Sequence, residues 1–138
     1  MKIERFEDLE CWKEARILVN MVYEAINSSE KFRKDYRLRD QISDAAVSSM
    51  SNIAEGFSRH TNREFVQYLF VSKSSATEVQ SESYVALDQK YITQETFDNI
   101  YNQAEKVSKL DSGLITYLIK NEKLYKKRKS TQQTEKTQ

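Results

Sequence analysis

The chain has no proline and only two glycines, Gly56 and Gly113, in 138 residues. Proline and glycine set the tight turns that all-β folds need in number. A chain this poor in both cannot readily build a sheet of many hairpins. It also lacks a glycine-rich phosphate loop, of either the dinucleotide-binding or the Walker A type. Long helices joined by short polar links are what such a composition can make. The length fits one domain with a real core.

Helical periodicity is clear in four segments. The first covers residues 8–27, with Leu9, Trp12, Val19, Val22, Tyr23 and Ile26 on one face. A charged link follows. The second covers 38–58, with Leu38, Ile42, Ala45, Ala46, Ser49, Ile53 and Phe57 on a stripe of mostly small residues. Gly56 near its end is expected as a C-terminal cap. The third covers 62–90, opened by Thr61-Asn62-Arg63-Glu64, the pattern of a capping box. The fourth covers 94–125, capped by Thr93, with Phe97, Ile100, Ala104, Val107, Leu114 and Leu118 as its main stripe. One apolar stripe per helix and short links predict an all-α, antiparallel up-down-up-down four-helix bundle over residues 1–125. Residues 126–138 are expected to form a basic and polar tail without fixed structure.

Charge is unevenly spread. Residues 1–119 carry 15 basic and 19 acidic side chains, whereas residues 120–138 carry seven and two. The near-neutral total thus hides an acidic body and a basic end, and basic ends attract nucleic acid. The residues placed to meet phosphate are Arg59, Arg63 and Lys73, then Lys120, Lys123, Lys126, Lys127, Arg128 and Lys129. The single cysteine, Cys11, fits a reducing compartment. No run approaches the roughly 20 apolar residues of a membrane span. A soluble cytoplasmic protein is expected.

Catalytic chemistry has little to work with. His60 is the only histidine, so neither a zinc cluster nor a di-metal bundle motif is available. Cys11 would need to touch His60 to act as an activated nucleophile. Packing as a small apolar residue suits it better. Glu55 and Glu78 are the best carboxylate pair. They are read with Asn52 and Arg59 as a polar cluster that fixes helix register, because buried polar groups must be paired. Ser72, Ser75 and Ala76 are read as small residues that let helices approach. The aromatic surplus (Tyr68, Phe70, Tyr84, Tyr91, Tyr101, Tyr117 and Tyr125) exceeds one small core and suggests an interface.

Three stretches carry a resemblance. They are Phe6-Glu7-Asp8-Leu9-Glu10-Cys11-Trp12-Lys13-Glu14-Ala15; Gln41-Ile42 with Ala45-Ala46-Val47-Ser48 and Ser51-Asn52-Ile53-Ala54-Glu55-Gly56-Phe57-Ser58-Arg59; and Glu64-Phe65 to Leu69 with Ser75 and Glu78. In that order and spacing the chain resembles the bacterial four-helix-bundle family encoded in intervening sequences of 23S rRNA genes. Its relatives include the accessory protein of diversity-generating retroelements. The resemblance covers about residues 3–120. It implies a ring-like homopentamer and no enzyme activity, and no cofactor is expected. It also implies association with RNA or with a nucleic-acid enzyme such as a reverse transcriptase. The chain departs from the family pattern at Ser43 and Asp44, where two arginines are usual, at Met50, where proline is usual, and at Ser58 and Ser74, where glycines are usual. The lost arginines leave the bundle body less to offer phosphate. The expected function is a non-enzymatic oligomeric scaffold associated with nucleic acid. The alternative is a protein-binding structural adaptor that does not touch nucleic acid.

Overall fold

A computed structural model describes residues 2–121. A short 3-10 turn, Phe6–Asp8, leads into α1 (Glu10–Asn27). Then come α2 (Glu30–Lys34), α3 (Tyr36–Phe57), α4 (Asn62–Asp88) and α5 (Gln94–Lys120). The long helices α1, α3, α4 and α5 form the up-down-up-down bundle. Each packs on two neighbours: α3 and α5 both border α1, and both border α4. At 27 residues, α4 and α5 are each roughly 40 Å long.

The caps follow from residue chemistry. Thr61 Oγ1 accepts from Glu64 N–H, and Thr93 Oγ1 accepts from Thr96 N–H, both at 3.1 Å. Each satisfies one of the free donors that a helix start leaves. The apolar stripes then close one core. Leu18, Val22, Ile42, Ile53, Leu69, Val79, Ile100 and Val107 are all but sealed from solvent.

Three features differ from the sequence expectation. The link after α1 is not wholly irregular. Ser29 caps α2 through Phe32 N–H, and Asp35 caps α3 through Leu38 N–H. The reason is Phe32, which is buried and stacks on Tyr91 at a centroid distance of 5.4 Å. One apolar anchor among charges holds a five-residue helix that no periodicity announces. Second, Gly56 is not a cap. It lies inside α3 with an ordinary helical backbone, and Ser58 is the C-cap. A Cβ there would stand 2.7 Å from Tyr68 Cβ and 2.8 Å from Phe65 Cδ1. The glycine is needed because α4 crosses so closely. Third, the left-handed cap falls on a lysine. Lys90 has φ 63°, with Tyr91 N–H donating to Ala86 O and Lys90 N–H to Leu87 O. That is a Schellman motif, usually built on glycine.

The fourth helix was expected to reach residue 125, and residues 126–138 to form a tail. Everything beyond Asn121 lies outside the described residues, Lys123, Tyr125, Lys126, Lys127, Arg128 and Lys129 included.

Candidate functional site

The most constrained chemistry is in the middle of the bundle. Asp111 is fully buried on α5. Its Oδ2 accepts from Ser72 Oγ of α4 at 2.7 Å. Ser72 Oγ also meets Ser49 Oγ of α3 at 3.0 Å. The Cys11 thiol of α1 approaches the same carboxyl. Four helices therefore converge on one polar centre. Burial pushes the Asp111 carboxyl up to about 7, against smaller opposing effects of Ser72, Cys11 and Lys73. Burial pushes the Cys11 thiol up to about 12, and the Asp111 charge adds to this. A thiol held protonated in this way is a poor nucleophile.

This centre gives Ser72 a role beyond small size: it is a hydrogen-bonding member of the core. Ser75 does the same at the rim, with Oγ 3.0 Å from Ser48 Oγ. Asp111 itself escaped the sequence reading. The α5 stripe advances 97, 100, 104, 107, 114, 118, and 111 is the position needed to keep the three-four alternation. An aspartate in an otherwise apolar series was the available signal.

The polar cluster read from Asn52, Glu55, Arg59 and Glu78 does not assemble. Arg59 pairs with Glu55 at 3.3 Å and stacks over the Tyr68 ring at 4.9 Å, bonding its hydroxyl. Asn52 donates to Ser48 O at 2.7 Å. Glu78 is elsewhere. The Ser48–Ser75 and Ser49–Ser72 contacts set the antiparallel register of α3 and α4. In that register Glu78 lies level with about residue 44, roughly 16 Å along the helix from Glu55. Its company there is Glu82. Burial, then Glu78 and Asp44, pushes the Glu82 carboxyl up to about 7. Glu55, Arg59 and Glu78 are all exposed, so no buried network was required of them.

Among the described residues, the cations expected to meet phosphate fall into two places. Arg59 and Arg63 flank the α3–α4 link, and Lys120 ends α5. Asn62 Nδ2 donates to Leu118 O at 3.2 Å, which brings that link and the end of α5 together. These three cations therefore share one end of the bundle, and the remaining basic run follows from it in sequence. Lys73 is separate, about 15 Å farther along α4. Ser43 is buried with Oγ bonded to Arg39 O at 2.7 Å.

Aromatic side chains divide similarly. Phe70, Tyr84 and Tyr117 are half exposed or more. Tyr91 is tied inward, its hydroxyl donating to Asp35 Oδ2 at 2.9 Å. Cys11 is buried, whereas His60 is exposed in the α3–α4 link. Among the described residues no group of three or more His, Cys, Asp or Glu side chains is arranged to hold a metal ion, and no helix is long and apolar enough to cross a membrane.

Comparison with known proteins agrees with this architecture. The family model described as 23S rRNA-intervening sequence protein matches residues 7–113. Among solved structures, the chain is similar to a protein of unknown function from the S23 ribosomal protein family of Bacteroides thetaiotaomicron VPI-5482. The identity is 23% and the TM-score 0.64, covering 76% of this chain and 94% of that one. At that identity the likeness bears on the fold. No curated protein matches the chain.

Proposed function

The chain belongs to the 23S rRNA-intervening sequence protein family, and from that premise we propose that it is a non-enzymatic, oligomeric helical scaffold of the cytoplasm that binds RNA, or an RNA-bound enzyme, through its basic end. The observation that carries this is the gathering of Arg59, Arg63 and Lys120 at one end of the bundle, from which Lys123 and the run Lys126 to Lys129 continue in sequence. Residues 1–119 carry a net excess of acidic side chains, so we place phosphate attraction at this end, where the basic excess of the chain lies. A single end of this kind binds weakly. A homopentamer would present five together and gain avidity without new contacts.

The test is binding of a structured RNA by anisotropy at about 50 and 200 mM salt, with and without Lys126→Ala, Lys127→Ala, Arg128→Ala and Lys129→Ala combined. Each lost phosphate contact lowers the salt slope by about 0.7–0.9. The quadruple variant should therefore lose a slope of roughly three. No binding at the lower salt, or no loss in the variant, rejects the proposal.

A second reading rests on the exposed aromatics Phe70, Tyr84 and Tyr117 and on the acidic group Asp44, Glu78 and Glu82. These favour a protein-binding adaptor. A captured protein partner that survives nuclease treatment and is lost with Phe70→Ala would support it over RNA binding.

A further inference from the structure

Along the core face of α5, Phe97, Ile100, Ala104, Val107, Asp111, Ile115 and Leu118 are buried, and only Asp111 can titrate. Its partners are few. Ser72 Oγ supplies one hydrogen bond to Oδ2, and Oδ1 is buried without a hydrogen-bond partner. An ionised carboxylate offers about four acceptor positions and brings no proton of its own. One hydroxyl donor is too little to offset its removal from water. The neutral acid asks for less, since a protonated oxygen has no full charge to solvate.

The groups that face Asp111 do not change this balance. From α1 there is the Cys11 thiol, a weak donor. From α3 there is the Ser49 hydroxyl, reached through Ser72. From α4 there are Ser72 itself and, farther off, the Lys73 ammonium. Lys73 is only half-buried, and its influence on Asp111 is the smallest of these.

We propose that Asp111 is a proton-linked latch: while its carboxyl is neutral the four long helices close around it, and its ionisation loosens the bundle. The raised titration of this group agrees with the geometry. An aspartate in the unfolded chain titrates near 3.9. Between about pH 4 and pH 7 the folded state holds a proton that the unfolded state has released. Stability then falls as pH rises through that window, by up to tenfold in the folding constant per unit. Above about 7 both states are ionised and the slope ends. Most carboxylates, paired with cations, give the opposite slope.

The test is urea unfolding of the full chain at pH 5 and pH 8, for wild type and Asp111→Asn. The amide keeps an acceptor for Ser72 and cannot ionise. Glu82 shares the window, so the difference between the two proteins, not the wild-type slope, assigns the effect. The ratio of wild-type to variant folding constants should drop by at least tenfold from pH 5 to pH 8. A drop of less than threefold overturns the latch. Should the variant fail to fold, carbon NMR titration of the Asp111 carboxyl in wild type decides. A midpoint above 5.5 supports the latch, and a midpoint below 5.5 overturns it.

Discussion

Gly56→Ala should destabilise the bundle, although alanine is the better helix former. In an open helix the change is worth about 0.8–1 kcal/mol in favour of alanine. Here the new methyl would stand 2.7 Å from Tyr68 Cβ and 2.8 Å from Phe65 Cδ1. Ordinary carbon contacts lie at about 3.5–4 Å. The Phe65 ring can tilt, but Tyr68 Cβ is fixed to its backbone. Relief therefore requires α4 to move away by most of an ångström, loosening the Ser48–Ser75 and Ser49–Ser72 contacts beyond it. Overpacking of this kind costs about 1–3 kcal/mol, and this site belongs at the upper end. Subtracting the propensity gain leaves a net loss of roughly 1–2 kcal/mol. For a domain of this size that is a fall in Tm of roughly 4–8 °C. Gly113 is the internal control. It also lies in a helix, but a Cβ there meets nothing within 4 Å. Gly113→Ala should raise Tm by a few degrees. Thermal unfolding followed by circular dichroism reads both. If Gly56→Ala melts higher than wild type, the close-approach argument is wrong.

Two further predictions concern single residues. Lys90→Gly should stabilise the chain by about 0.5–1 kcal/mol in urea unfolding, because a side chain in the left-handed region of the Schellman motif is strained; a destabilised variant would show that the lysine earns its place by contacts. Glu82→Gln should stabilise at pH 8 and change little at pH 4. The folded carboxyl titrates at about 7, above its unfolded value, so its cost appears as pH rises and is absent when both states are protonated. An equal effect at both pH values would contradict that sign.

The helices and their pairing were legible because each carries one repeating apolar stripe, and the caps Thr61 and Thr93 act locally. What escaped depends on contacts distant in sequence. The helix α2 exists because Phe32 finds Tyr91, some sixty residues away. Gly56 reads as a helix terminator by type, and only the crossing of α4 reveals it as a spacer. Asp111 sits in a perfect three-four series, yet its polarity removes it from any list of apolar positions. The proposed cluster around Glu55 and Glu78 failed for a similar reason. Residues on two helices meet only if the hairpin register aligns them, and that register is set by the Ser48–Ser75 and Ser49–Ser72 pairs. The basic end was legible as composition. Its assembly from the α3–α4 link and the end of α5 required the fold.

The proposed scaffold function depends on assembly, because five basic ends presented together would gain avidity over one. Light scattering of the purified full chain at about 150 mM salt, where exposed-charge interactions are screened beyond about 8 Å, tests it most directly. The account predicts a mass five times that of the 16.3 kDa chain. A species at the mass of one chain under the same conditions would contradict it.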